Sequence, residues 1–155
     1  MAQMSGMLDS QMLPGEEVLF TTKLHWITFL FPIIMFIVAF VAYAYHPILQ
    51  DLAYFIFLFA IATGIITLLN YMFSEFAVTT RRVICQRGII FRRSIAILLR
   101  QIETVDVQYN IIGSILNYGT VIIVGTGGTR DGFPNISKPR RFRHAVQEAL
   151  TMEKS

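Results

Sequence analysis

Arginine is the residue type in this sequence whose number and clustering point most clearly to binding chemistry. From Ser74 onward, twelve lysines and arginines stand against six aspartates and glutamates, so this part of the chain is basic. Basic side chains beside an anionic lipid leaflet each gain about 1 kcal/mol, and an acidic protein surface attracts them similarly. We therefore predict a surface for lipid headgroups or a protein partner, formed by Arg81, Arg82, Arg92, Arg93, Arg140 and Arg141. Charge that sets membrane topology and solubility explains the same residues equally well. Nucleic acid binding is disfavoured because aromatic residues do not interleave with these arginines.

A second candidate surface is the uncharged segment from Asn110 to Tyr118, which contains Gly113 and four large apolar residues. Such a segment either packs into a domain core or stays exposed, where it enters the lipid headgroup region or contacts a partner. Both alternatives stay open from the sequence. The four residues are Ile111, Ile112, Ile115 and Leu116.

Residue types that perform catalysis or bind metals do not occur here in productive patterns. Cys85 is the single cysteine and lies in a strand-like stretch, where cysteine usually acts as a small buried apolar residue. Glu103 and Asp106 fall on opposite faces of a predicted strand, so they make a poor carboxylate pair. Gly125–Gly128 is too short for a dinucleotide-binding loop and is typical of a hairpin turn. The three histidines, which lack metal-ligand spacing, are His25, His46 and His144. We predict no enzyme, no cofactor and no metal site.

Two apolar runs, Ile27–Tyr45 and Leu52–Phe73, must position any such surface. Each is roughly 20 residues long without a charged residue, the length that crosses a hydrocarbon core. Only residues 46–51 separate them, so we predict an antiparallel transmembrane hairpin. The absence of ionisable residues in both runs argues against a pump or an ion path. A cleaved signal peptide is disfavoured because no basic segment precedes the first run, which is also too long.

Small residues in the two runs indicate where helices approach each other. Ala60 and Gly64 are four residues apart in the second run, and small residues at that spacing allow close helix packing. The partner is either the first helix, through Ala39 and Ala42, or another copy of the chain.

After Phe73 the pattern changes to short alternating strands. Five to seven such strands are expected, and residues 16–25 either add an edge strand or simply lead into the membrane. Pro139 opens a final helix in which Phe142 and Val146 share an apolar face. We predict a small antiparallel β-barrel capped by this helix.

A set of short motifs over most of the chain, from about Leu13 to Leu150, resembles the bacterial pleckstrin-homology-like (PH-like) membrane proteins. The matching stretches are Leu13–Glu17, Thr79–Val83, Gly88, Ile102–Val105, Leu116–Val121 and Gly125–Gly128. The resemblance implies an α+β membrane protein in which a two-helix transmembrane hairpin precedes a PH-like β-barrel. It implies a leader at residues 1–25, a hairpin at 26–73 and a PH-like domain at 74–155. It carries no general biochemical activity with it.

These observations favour a membrane-anchored binding or scaffold module at the cytoplasmic face of the bacterial inner membrane. Its partners would be membrane lipids with anionic headgroups, other membrane proteins or copies of itself. The alternative is an accessory or assembly subunit of a larger membrane complex, which it would contact through the hairpin.

Membrane topology is testable from the charge distribution alone. Arg81 and Arg82 follow the second run closely, while the loop between the runs carries no lysine or arginine. Because basic residues stay on the cytoplasmic side, both termini should be cytoplasmic. In intact cells, an impermeant thiol reagent should label a cysteine placed at Gln50 and not one placed at Ser155. The reverse labelling pattern would show an inverted orientation.

Overall fold

The structure, a computed structural model, describes residues 12–45, 47–88 and 93–155, with the side chain of Arg93 left out. The chain divides into two compact units. One contains the residues up to His25 together with Ser74–Ser155, and the other is Trp26–Phe73.

The helical unit is an antiparallel pair. Helix α1 spans Leu30–Tyr45 after a 3-10 turn at Trp26–Phe29, and helix α2 spans Gln50–Met72 after a 3-10 turn at Pro47–Leu49. Both are long and apolar enough to cross a membrane by length and composition, and only 11% of the most apolar stretch of each is buried. The pair therefore presents apolar side chains over most of its surface.

Small side chains lie where the two helices meet. Ala39, Ala53 and Ala60 are buried, and a Cβ atom on Gly64 would lie 3.8 Å from the Cβ atom of Pro32. Three aromatic edge contacts follow the seam between the helices: Phe29 with Tyr71, Phe36 with Phe57, and Tyr43 with Tyr54. Of the residues expected to pack helices together, Ala42 is half-buried, Ala39 and Ala60 are fully enclosed, and Gly64 faces α1.

The other unit consists of two antiparallel sheets and two helices. The first sheet has the order β1-β2-β3-β4, with strands Val18–Lys23, Glu75–Thr79, Arg82–Arg87 and Arg93–Leu98. The second has the order β5-β6-β7, with strands Ile102–Gln108, Tyr118–Gly125 and Arg130–Ser137. Helix α3 is Ile111–Leu116, between β5 and β6, and helix α4 is Pro139–Lys154, at the C-terminal end.

Strand β1 precedes the helical unit in sequence but belongs to the first sheet. It pairs antiparallel with β2, and Lys23 lies opposite Glu75. Of the two alternatives for residues 16–25, the edge strand is the one observed. The chain therefore leaves this unit just after β1 and re-enters it just before β2, at neighbouring positions in one sheet.

The prediction of a closed barrel is wrong. Strands β4 and β5 are joined by a 3-10 turn at Leu99–Gln101, and they share no ladder in the described part of the chain. At the opposite side, the end of β1 and the residues after it meet β7 through a bridge between Leu24 and Ile136 and two hydrogen bonds. These run from the Thr22 hydroxyl to the Ser137 carbonyl at 2.6 Å and from the His25 N–H to the Asn135 carbonyl at 2.8 Å. The two sheets therefore do not join into a barrel among the described residues, because the 3-10 turn between β4 and β5 interrupts the strand pairing that closure would need.

Helix α4 fills the space that an open pair of sheets leaves. Phe142 and Val146 are fully buried, as the spacing on the apolar face predicted. Phe76 of β2 and Phe133 of β7 meet edge to face with ring centroids 5.8 Å apart, which links the two sheets through their side chains.

Replacing Val146 with Asp should unfold this unit. An unpaired carboxylate in this fully buried seam should lower the free energy of unfolding by about 3 kcal/mol or more. Limited proteolysis of the full chain in detergent measures this loss of stability as a loss of protease resistance. Thr151→Asp, on the exposed face of the same helix, is the matched control and should keep wild-type resistance. Equal resistance of the two variants would contradict this account of the core.

Candidate functional site

The connection between β5 and β6 and the start of α4 form one continuous corner. Helix α3 is followed by Asn117, which adopts a left-handed conformation with φ of 60°. The carbonyl of Asn117 accepts a 3.1 Å hydrogen bond from the backbone N–H of Lys138, the residue directly before α4. This bond joins the end of the apolar segment to the beginning of the basic helix.

Two glycines allow this corner to close. A Cβ atom at Gly113 would lie 2.5 Å from the carbonyl oxygen of Tyr118, and one at Gly119 would lie 2.7 Å from the carbonyl oxygen of Gln108. Real Cβ atoms do not approach backbone oxygens so closely, so the backbone segments could not meet with any other residue there. Helix α3 consequently rests on the sheet through the backbone of Gly113.

The large apolar side chains of α3 are exposed. Their exposed fractions are 86% for Ile111, 56% for Ile112, 78% for Ile115 and 36% for Leu116. The alternative that placed them in the core is wrong, because Gly113 is the buried residue of this short helix and the other side chains stay outside. Contiguous exposed apolar residues are a general feature of surfaces that contact a membrane or a protein partner.

His25 connects this corner to the point where the chain leaves the sheet unit. Its ring stacks on Tyr118 with centroids 5.1 Å apart, and its backbone N–H donates a 2.8 Å hydrogen bond to the Asn135 carbonyl. Burial lowers the pKa of His25, and a hydrogen bond to the backbone of Leu116 offsets part of that effect. The ring is therefore held neutral and close to the end of α3 at physiological pH.

Basic residues lie beside the apolar turn at the start of α4. The guanidinium carbon of Arg140 lies 5.3 Å from the centroid of the Tyr109 ring, and Tyr109 leads directly into α3. Lys138 and Arg141 are exposed on either side of Arg140 in sequence. The structure thus brings two of the predicted surface arginines, Arg140 and Arg141, to the corner that carries the exposed isoleucines.

The arginines of the first sheet have different roles. Arg81 is exposed in the turn between β2 and β3, whereas Arg82 pairs with the buried carboxylate of Glu16, with Nη2 2.9 Å from Oε2 and Nε 3.0 Å from Oε1. The Thr79 hydroxyl donates a 2.6 Å hydrogen bond to the same carboxylate. Arg82 therefore acts within the fold. Arg92 and the side chain of Arg93 lie outside the described residues.

The Glu16 carboxylate is held in its charged form. Burial raises the pKa of Glu16, but hydrogen bonds from Arg82, Thr79 and the Leu13 N–H, with the charge of Arg82, outweigh burial and leave the pKa below its ordinary value. Sequence reasoning missed this pair because its members are 66 residues apart, although the acidic residue in the motif before β1 was a signal.

The residues weighed for catalysis show no reactive arrangement in the described chain. Burial raises the pKa of the Cys85 thiol to about 12, so the thiol stays protonated at neutral pH. Groups of three or more potential metal ligands do not occur among the described residues. The sequence pattern does not indicate that Tyr109 and His25 contribute to a shared corner, because only the folded chain brings β5, β6 and α4 together.

Comparison with known proteins identifies one family. A family model described as the bacterial PH domain matches residues 18–150, which is most of the chain and includes both compact units. Searches of curated proteins and of solved structures returned no match.

The two neighbouring arginines of the β2–β3 turn should respond differently to removal. Arg82→Ala leaves a fully buried carboxylate without its cation and should cost about 3 kcal/mol of unfolding free energy. Arg81→Ala removes an exposed side chain and should change stability by less than about 0.5 kcal/mol. Thermal unfolding of the full chain in detergent measures both changes, and equal destabilisation would contradict the assigned role of Arg82.

The Glu16 carboxylate also predicts a pH dependence. Its pKa is lower in the folded state than in the unfolded state, so its stabilising contribution is complete above about pH 4.3 and is lost as the pH falls through the folded-state value. The stability difference between the wild type and Glu16→Gln should therefore narrow in acid. A difference that stays constant down to pH 3 would contradict the lowered pKa.

Proposed function

Because the chain belongs to the bacterial PH domain family, we propose that it is a non-catalytic binding or scaffold module held at a bilayer surface by two membrane-spanning helices. The PH-like unit would make protein or lipid-headgroup contacts on the cytoplasmic side of the inner membrane.

The anchoring part of the proposal is supported by the outer surface of the helix pair. Phe40, Phe55 and Leu58 are 71%, 73% and 67% exposed in the isolated chain, and each carries a large apolar side chain. Leaving such surface in water costs roughly 25 cal/mol per Å² of apolar area, and a hydrocarbon environment removes that cost. The core helix of a soluble protein would instead be mostly buried.

The contact surface is supported by the apolar turn of α3 and the basic residues next to it. Exposed isoleucines flanked by lysine and arginine are the combination that binds the headgroup region of an anionic bilayer. His25, which stacks against this corner, is followed in the chain by Trp26, the first residue of the helical unit. His25, which contacts the corner, is therefore joined by a single peptide bond to the first residue of the helical unit, and this covalent link carries the proposal.

A second candidate function is that of an accessory subunit that binds a membrane protein through the helices. An apolar notch of about 270 Å³ lies on the helix pair, lined by Ala39, Phe40, Tyr43, Ala53, Tyr54 and Phe57. A side chain from a partner helix would fit such a notch. Gentle detergent extraction from native membranes followed by mass measurement tests this second function, because it requires a stable complex with another membrane protein, and a mass equal to that of the chain alone would contradict it.

The bilayer contact of α3 can be tested with an environment-sensitive fluorophore. The full chain, with Ile115 replaced by cysteine and labelled, is reconstituted into phosphatidylcholine vesicles containing phosphatidylglycerol. The emission should shift to the blue, and quenchers attached to lipid should reduce it. A label at exposed Thr151 is the matched control and should report water. A water-like spectrum at residue 115 would overturn the proposed lipid contact.

A further inference from the structure

A cleft of about 320 Å³ opens between the end of β5 and the first turns of α4. It contains no carboxylate, and its lining consists of Val107, Tyr109, Arg140, Arg143, His144 and Gln147. Two arginines and a histidine in one concave site give it a positive or neutral character throughout.

The fold positions one arginine of this cleft through an aromatic contact, and it neutralises neither of them. Arg140 is stacked over the Tyr109 ring, a contact that uses the face of the guanidinium and leaves its in-plane donors for another partner. Arg143 lies three residues further along α4, on the same side of the helix. Across the part of the chain that the structure describes, no acidic side chain pairs with Arg140 or Arg143.

A tyrosine in the wall provides an independent observation. The hydroxyl oxygen of Tyr109 is buried and has no hydrogen-bond partner among the described residues. An unpaired buried hydroxyl destabilises a fold, so its retention calls for an explanation. The hydroxyl has almost no accessible surface in this side-chain arrangement, so a ligand in the cleft would reach it once neighbouring side chains, such as the exposed Arg140 over the ring, move aside.

We propose that this cleft binds a phosphate group. Arginine guanidinium groups match the oxygens of a phosphate in pairs, and the Tyr109 hydroxyl, once uncovered by movement of the side chains around it, would donate a further hydrogen bond to the same group. The cleft is open to solvent, so the phosphate can carry a substituent such as a lipid glycerol. That the phosphate belongs to a lipid rests on the proposed function, whereas the phosphate chemistry rests on the cleft alone.

The test uses the full chain in a neutral detergent at constant ionic strength, titrated calorimetrically with two probes. One probe is inorganic phosphate and the other is short-chain phosphatidic acid. Arg143→Gln should weaken binding of at least the lipid probe by about tenfold. Arg130→Gln removes the same charge from an exposed arginine of β7 that does not line the cleft, and it should change affinity less than about twofold.

Tyr109→Phe separates a ligand contact from a structural role. If the hydroxyl binds phosphate, this variant should lose about fivefold in affinity, while its melting temperature without ligand stays the same or rises. The fall in affinity would be absent if the hydroxyl had no contact with the ligand, and that result would remove Tyr109 from the site.

The outcomes distinguish free phosphate from a lipid phosphate as the ligand. They also distinguish failure of the cleft proposal from failure of the proposed bilayer contact. Equal dependence on Arg143 for both probes identifies the phosphate itself as the ligand, and dependence for the lipid probe alone identifies the headgroup in its lipid. Equal weakening by Arg143→Gln and Arg130→Gln, or no binding of either probe, overturns the cleft but leaves the fluorophore result at residue 115 standing. Phosphate binding together with a water-like label at residue 115 would instead retain the cleft and overturn the proposed bilayer contact.

Discussion

The ladder between β1 and β2 is the interaction on which the rest of this structure depends. It joins two segments separated in sequence by the whole helical unit, with Thr22 opposite Phe76 and Lys23 opposite Glu75. The helix pair is consequently an insertion into the sheet unit, with its two connections held side by side. Closing so long a loop costs conformational entropy, which the burial of β2 between its neighbours must offset. All five residues of β2 are buried, so this strand supplies much of that stabilisation.

Other features of the sheet unit follow from this ladder. With β1 in place, the residues before it hold the Glu16 carboxylate against Arg82 and Thr79, so a buried charge is neutralised and hydrogen-bonded. The residues after β1 place His25 against Tyr118, beside the end of α3. An isolated buried ion pair gives little net stability, but removal of one partner is costly. The Glu16–Arg82 pair therefore acts mainly to make displacement of β1 unfavourable.

Features set by local pattern could be predicted from the sequence, and features set by distant contacts could not. Helix α4 followed from Pro139 and from the spacing of Phe142 and Val146, and the apolar helices followed from their length and lack of charge. The open sheets could not be foreseen, because alternation predicts strands and says nothing about whether the first and last of them pair. Similarly, an apolar run such as α3 has the same pattern in a core or on a surface. The approach of Gly113 to the backbone of Tyr118 decided between them.

The roles of the arginines in the candidate site also depend on contacts between residues that are distant in sequence. Because Arg81 and Arg82 are adjacent in sequence, the sequence alone predicts the same role for both. In the structure, Arg82 pairs with Glu16, a glutamate 66 residues away, whereas Arg81 stays exposed. Arg143 gained its place in a basic cleft only because α4 docks beside the end of β5. Sequence proximity identifies where charge is abundant, and only the fold shows which charges remain available to a ligand.

If the helices attach the chain to the membrane, the contacts made by the corner of α3 and α4 need only be weak. Attachment raises the effective concentration of nearby lipid or protein groups, so a contact that is too weak to recruit a free domain can still be occupied for most of the time. Each basic residue near an anionic leaflet contributes only about 1 kcal/mol, and four apolar side chains on α3 add a comparable shallow attraction. Contacts of that size orient a domain and release it readily. An anchored module of this design would thus separate the two tasks, with the helices determining where the domain resides and the corner of α3 and α4 determining which face it presents.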